Sequence, residues 1–328
     1  MIDLLGYGAF FLTIALSYAI IALGLNVQWG QTGLFNVGVA GFVAVGAYVS
    51  GLLTTPAAMG RFGGFDLPIP VGWVAALAAG ALLSYALGWM TIRLRSDYLA
   101  ITTFGFAVTV QLVALNLESV TGGPFGMGFI PRPFAHLAGD PLRFGLYNLG
   151  LTAVLVLAVY LVVERLGASP FGRVLRAIRE DETAAVSLGK DAVRFRLKAF
   201  AVGGALMALG GAVQAHFIGF IAPENYLPLM TFQVWAMLIV GGSGNHLGAI
   251  VGAVLVWALW AVSGSVISAV VPASDQARAA SLQIVLIGVA LCVILLLRPR
   301  GILGERRTVS RHLGAVPKVK PGAGKSEV

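Results

Sequence analysis

Charge is what this sequence has least of. Only 11% of its 328 residues are Asp, Glu, Lys or Arg, against about a quarter in a soluble domain, and none of these lies between Asp3 and Arg61. So few charges cannot coat a water-facing surface, which excludes an ordinary soluble enzyme or binding domain. Cysteine is almost missing too: the single one, Cys292, sits in an apolar run, so neither a disulfide framework nor a thiol metal cluster exists. His216 has no acidic or second histidine partner at helical spacing, and it reads as a packed or hydrogen-bonded residue, not a metal ligand. The net charge of +8 comes without an aromatic-interleaved basic stripe, so no nucleic-acid partner is expected. No basic n-region precedes the first apolar run, and that run continues too far for a cleaved signal peptide.

What is abundant is apolar and small. Hydrophobic residues make up 58% of the chain, with 43 glycines and a mean hydropathy of +0.88. In membrane helices small residues let backbones approach closely, and a span needs about 20 apolar residues. Charges fence off such stretches at 10–27, 35–53, 67–92, 98–117, 144–163, 199–220, two within 225–274 divided at 241–245, and 279–297. The expected fold is therefore all-α, a polytopic transmembrane bundle of about nine spans (eight to ten). Of the 22 Lys and Arg, all but Arg61, Arg132, Arg143 and Arg278 fall on the side of residues 164–198. By the positive-inside rule that side is cytoplasmic, the C-terminus is inside and, with nine spans, the N-terminus is outside. Residues 1–304 form the membrane domain, with a cytoplasmic segment at 164–198, and the basic tail 305–328, lacking an apolar face, is expected to be disordered.

Several patterns bear on function. Gly324-Lys325-Ser326 ends like a phosphate-binding loop, but Val319 stands where its first glycine belongs and no strand precedes it, so this chain is not expected to bind nucleotide. Gly241-Gly242-Ser243-Gly244 matches the nucleophile pattern of intramembrane serine proteases, yet His246 lies on the same break and no histidine occurs in the last span; a glycine-rich break is the expectation. Gly248–Gly252 is a GxxxG, and Gly203, Gly204, Gly210 and Gly211 make a similar face, both reading as close helix packing. Asn26, Gln28, Gln31, Thr32 and Asn36 form a run of uncharged hydrogen-bonding residues at a glycine-interrupted break. They either line a solute pathway or form a polar cytoplasmic loop, and both readings stay open.

In the cytoplasmic segment, Ser169-Pro170 reads as an N-cap followed by proline at the first helical position, and Gly189 as a helix-closing residue. Arg173, Arg176 and Arg179 recur every three residues, about 60° apart around a helix, and make a basic stripe. Ala184 and Ala185 leave room for close approach by another protein. A compact docking knob and a plain positive-inside flank are the two readings.

This stretch, from Ser169-Pro-Phe-Gly-Arg to Ala-Ala-Val-Ser-Leu-Gly189, resembles the signature loop of LivM-type permease subunits of branched-chain amino-acid ABC importers. Arg95-Ser-Asp-Tyr-Leu-Ala-Ile-Thr-Thr-Phe-Gly105, Thr121-Gly-Gly-Pro-Phe-Gly-Met, Gly41 to Gly51, Gly241 to Gly248 and Arg298-Pro-Arg-Gly support the likeness over residues 20–304. The wider class carries a Glu-Ala-Ala-x-x-x-Gly loop that docks on the ATPase. Ala184, Ala185 and Gly189 match it, Thr183 occupies the glutamate position with Glu182 one residue earlier, and the later Ile-x-Leu-Pro is absent. The resemblance implies a multi-pass protein of a bacterial-type inner membrane, translocating branched-chain or related small amino acids. It implies as partners a second permease, two cytoplasmic ATPases that hold the ATP and Mg, and an external solute-binding protein, with no cofactor, catalytic residue or metal in this chain. Arg61, Arg132, Arg143 and Arg278 then become candidates for steering the binding protein. No Asp, Glu, Lys or Arg lies within a span, which argues against proton coupling. A sodium-coupled carrier or channel is the competing reading, and a protease the third.

Overall fold

The computed structural model describes residues 2–57, 62–272, 275–298 and 301–305. Among them the chain forms α1 (Ile2–Thr32), α2 (Val39–Thr54), α3 (Ile69–Thr91), α4 (Ser96–Asn116), α5 (Glu118–Thr121), α6 (Pro141–Ala168), α7 (Pro170–Glu180), α8 (Glu182–Ser187), α9 (Ala192–Ile218), α10 (Pro228–Gly241), α11 (His246–Val270) and α12 (Gln276–Leu297). The β pairing described is one isolated antiparallel bridge, Met127 to Ile221. Six helices, α1, α3, α4, α6, α9 and α11, are long and apolar enough to cross a membrane, and α2, α10 and the Ser281–Ile294 part of α12 are shorter apolar helices. The protein is a multi-pass helical membrane bundle. Of the tail expected to be disordered, only Glu305 belongs to the described residues.

The bundle is built around α9 and α1, which the other helices enclose. α9 packs on α1, α2 and α3 through the expected glycine face: Gly203 and Gly210 meet α1, Gly204 meets α3 and Gly211 meets α2. Gly46 of α2 lies so close that an added Cβ would run into the Ala208 carbonyl. The GxxxG of α11 lies against α10, where a Cβ on Gly252 would strike the Met237 carbonyl. Such contacts trade side-chain bulk for backbone proximity, the packing that membrane helices favour. The outer helices show the opposite pattern, exposing Leu82 and Trp89 on α3, Leu112 on α4, Leu157 on α6 and Val262 on α11, as a lipid-facing surface requires.

One boundary differs from the sequence expectation. The first helix does not stop near residue 27 but runs on to Thr32, so Asn26, Gln28, Gln31 and Thr32 are helical and the break falls at residues 33–38. Gly30 does not break the helix, because its N–H and carbonyl can stay in register while its bare Cα lets Asn26 and Gly244 approach. Gly33, with φ +72°, does.

Candidate functional site

Residues 169–191 make a small folded unit at one end of the bundle. The Ser169 hydroxyl accepts from the Gly172 N–H at 3.4 Å and donates to the Leu166 carbonyl at 2.6 Å, joining α6 to α7. Asp181 caps α8 by accepting from the Ala184 N–H at 2.9 Å, and Asp191 caps α9 through the Arg194 N–H at 3.1 Å. Gly189 leaves α8 at φ +76°, a conformation that penalises a Cβ. Ile178, Ala185 and Ala192 bury together with Val174 and Phe195 as a core of the unit's own. Arg196 of α9 donates to Glu182 at 2.8 Å, fastening α8 to α9.

The structure adds two details to this unit. The stripe bonds the chain's own helix ends: Arg173, itself exposed, donates to the Ala168 carbonyl at 3.2 Å and Arg176 to the Gly167 carbonyl at 3.0 Å. Arg179 donates to the Gly30 carbonyl and, at 2.6 Å, to Glu305. The last carbonyls of a helix are orphan acceptors at its negative dipole end, so the ends of α6 and α1 each bind part of the stripe, while Arg173 stays on the surface. Ala185 is only 4% exposed, and the space it leaves is filled by α7 and α9 instead of a partner. Outward the unit shows Thr183, Ala184, Gly189 and two apolar side chains, Val186 and Leu188, the latter 79% exposed, among charged residues such as Arg173, Glu182 and Lys190.

Behind it lies the polar run. All five residues, Asn26, Gln28, Gln31, Thr32 and Asn36, are buried. Gln28 donates to the Phe200 carbonyl at 2.8 Å and accepts from Asn36 at 2.7 Å; the Thr32 hydroxyl donates to the Gln28 carbonyl. Residues 34–38 are irregular backbone inside the bundle, and side chains satisfy it: Val37 N–H donates to Thr103 at 3.0 Å, Gly38 N–H to Asn36 at 2.7 Å, and Trp235 donates to the Asn36 carbonyl at 2.9 Å. Non-helical backbone at membrane depth is tolerated under such conditions. Asn26 accepts from the Gly244 N–H at 2.8 Å, which leaves its amide to donate to His246 Nδ1 at 2.9 Å. His246 Nε2 must then carry the proton and needs an acceptor; the Gln31 amide, 2.7 Å away, supplies one with its otherwise unpaired oxygen turned to the ring. The cluster therefore holds a neutral imidazole between two amides and joins α1 to the turn before α11.

Other candidates separate. With both nitrogens of His246 engaged by Asn26 and Gln31, Ser243 has no base there, and residues 242–245 serve as the α10–α11 turn. His216 bonds Ser50 at 2.7 Å and the Pro131 carbonyl at 2.8 Å, a satisfied interior residue. No group of three metal-ligating residues occurs among the described residues. At the opposite end Arg132 caps α9 by donating to the Ile218 carbonyl at 2.5 Å, and Arg143 pairs with Asp140 at 3.2 Å with its side chain 71% exposed. Arg61, the side chain of Arg278 and the Gly324-Lys325-Ser326 stretch lie outside the described residues. His246, Glu305, Val186 and Leu188 were not singled out as site residues from sequence. Asn245 as an N-cap before His246 was the available signal; for Glu305, placed 126 residues from Arg179, none was.

The geometry can be set beside known proteins. The chain is 35% identical over 264 residues to the high-affinity branched-chain amino acid transport system permease protein LivM of Escherichia coli K12, covering 74% of this chain and 60% of that relative. It is 30% identical over 261 residues to a probable branched-chain amino acid transport permease protein LivM of Methanocaldococcus jannaschii, covering 72% and 75%. It is 26% identical over 308 residues to the E. coli K12 permease protein LivH, covering 89% and 93%. No solved structure matches. The family pattern of the branched-chain amino acid transport system / permease component matches residues 8–295, from within α1 to within α12, and the chain belongs to that family.

Proposed function

We propose that this chain is the membrane-spanning permease subunit of an ABC importer for branched-chain or related small amino acids, driven by ATPases on separate subunits. One observation carries the mechanism: the 169–191 unit is tied by hydrogen bonds to α6, α1 and α9 while Val186 and Leu188 at its tip are uncovered among the described residues. Two exposed apolar side chains do not make a large patch; it is their place on a unit tied to three helix ends that favours a contact with another protein. In this reading Val186 and Leu188, flanked by Thr183, Ala184 and Gly189, seat in a groove of the ATPase. Arg173 and Arg176 pass the movement to α6, Arg179 to α1, and Glu182 to α9. The α1 end is where the buried polar cluster sits, so displacement of Gly30 acts on Asn26, Gln28, Gln31, Thr32 and Asn36. Those residues form the inner closure of the solute pathway, hydrogen-bonded shut when the tip is at rest.

The rest of the assembly follows the family: a related second permease, two ATPases holding ATP and Mg, and an external binding protein. The tip faces the cytoplasm with the C-terminus, and exposed Arg143 faces the binding protein. The chain itself converts no energy. The test is reconstitution with its partners in proteoliposomes: leucine uptake requires internal-face ATP hydrolysis and the binding protein. Uptake driven by an imposed sodium or proton gradient without ATP would establish the carrier reading instead.

A further inference from the structure

A second cluster of polar aromatic side chains lies toward the other end of the bundle, within a turn of the C-terminal end of α9. Tyr18 of α1 stacks on Trp257 of α11 with ring centroids 5.1 Å apart, and Tyr48 of α2 faces Tyr226, in the 3-10 turn before α10, at 6.0 Å. Gln214 of α9 hydrogen-bonds the Tyr18 phenol, and Tyr226 is near enough to both Tyr18 and Tyr48 to interact electrostatically with their phenols. The three tyrosines are 7%, 6% and 5% exposed. Yet two buried polar atoms here, Tyr48 Oη and Trp257 Nε1, have no hydrogen-bond partner among the described residues.

An unpaired buried donor is costly, and native proteins rarely keep one without a use for it. Both orphans are donors: an indole N–H can only donate, and a phenol O–H donates most strongly to an anionic acceptor. The complement is an acceptor-only group, a carboxylate. The aromatic faces beside them attract a cation through their quadrupoles and pack well on aliphatic groups. The stretches of α1, α2, α9 and α11 that carry Tyr18, Tyr48, Gln214 and Trp257 hold no Asp, Glu, Lys or Arg, and Glu224 in the turn of Tyr226 and Arg132 on the Ile218 carbonyl are both exposed, so a buried zwitterion would meet no buried counter-ion. Neutral donors and ring faces hold each charge while releasing it readily.

We propose that Tyr18, Tyr48, Gln214, Tyr226 and Trp257 form a receiving site on the pathway for a zwitterionic aliphatic amino acid, with Tyr48 and Trp257 donating to its carboxylate. This rests on the importer reading and adds to it a location and a chemistry. The test uses the complete reconstituted complex with binding protein and labelled leucine, comparing wild type with Tyr48→Phe and Trp257→Phe, which keep a ring and delete a donor. The maximal uptake rate falls roughly tenfold in each, the loss of one hydrogen bond to a charged group. The half-saturating leucine concentration stays unchanged, since the binding protein sets capture. The thermal midpoint of the complex stays level or rises, because a buried orphan has been removed. Uptake within about twofold of wild type overturns the proposal, leaving ordered water as the partner of these donors. A midpoint lowered in step with uptake also overturns it, making both groups packing elements. Absence of ATP-driven leucine uptake in the wild type overturns the importer reading and this site with it, whereas normal wild-type uptake with unaffected variants overturns the site alone.

Discussion

Arg179 Nη2 lies 2.6 Å from Glu305 Oε1, and the other terminal nitrogen of the same guanidinium donates to the Gly30 carbonyl. One side chain thereby joins α7, the chain beyond α12 and the last turn of α1. A planar guanidinium can serve two acceptors at a fixed angle, which a lysine cannot. Arg179→Lys and Arg179→Ala are both expected to lower ATP-driven uptake several-fold while ATPase subunits still co-purify, giving ATP hydrolysis that no longer tracks uptake. The Glu305 side chain is 40% exposed, so Glu305→Ala alone costs little, about 0–1 kcal/mol of stability. A double-mutant cycle on uptake should be non-additive; additivity would mean that the two residues act separately.

The His246 cluster is expected to matter for stability first. His246→Ala strands the Asn26 and Gln31 amides, both buried, at a cost of about 1–3 kcal/mol for each group left unpaired. His246→Gln offers one donor and one acceptor and should recover part of the loss. Thermal unfolding of the purified protein in detergent measures both, and an unchanged midpoint in His246→Ala would refute the arrangement of donors and acceptors given above.

Much of this was legible from the residues because the constraints were local. Apolar runs fenced by charges gave the helices, Ser169-Pro170 and Gly189 marked the start and close of the 169–191 unit, and the small-residue faces of α9 and α11 announced close packing. What escaped was direction. Spacing of Arg173, Arg176 and Arg179 fixes that they share a side of a helix, but not whether that side meets a partner or the chain's own helix ends. Ala185 likewise matched a docking motif while its Cβ points into the unit's interior. The polar run was read as lying at a break, yet four of its five residues are helical, because a helix that continues past Gly30 depends on Asn26 and the distant Gly244 crowding its bare Cα. Leu188 stood out only once its neighbours were seen to leave it uncovered.

Docking and internal packing are separable at the tip. Leu188→Asp leaves Ile178, Ala185 and Ala192 untouched, so membrane insertion and thermal stability should persist while ATPase co-purification falls by about tenfold or more, as for a buried interface anchor. Ala185→Trp should overfill the unit's core, and Gly189→Val should strain a backbone at φ +76°; both should lower ATPase retention through loss of the unit's shape. Normal uptake in all three variants would leave only an orienting role for the basic segment.

The orientation is testable because Cys292 is the only thiol. In a Cys292→Ala background, cysteines introduced at His136 and, separately, at Ser187 occupy exposed positions at opposite ends of the bundle. An impermeant maleimide should label position 136 in intact cells and position 187 only after permeabilisation. Labelling of both from one side would contradict the assignment of the coupling unit to the cytoplasm.

The packing of α2 on α9 yields a paired prediction with its own control. Gly46 and Gly105 both sit inside apolar helices, so replacing either by Ala brings the same gain in helix propensity, about 1 kcal/mol. Their surroundings differ: a Cβ at Gly46 meets the Ala208 backbone, whereas at Gly105 it meets nothing within 4 Å. Ala208 cannot retreat, since Gly80 of α3 presses on it from another side, and forcing α2 away would disturb the Ser50–His216 bond one turn further on. Gly46→Ala should therefore destabilise by about 1–3 kcal/mol, the usual cost of overpacking, and reduce uptake. Gly105→Ala should be neutral or slightly stabilising in the same melting assay. Equal behaviour of the two variants would show that α2 and α9 do not meet at this depth.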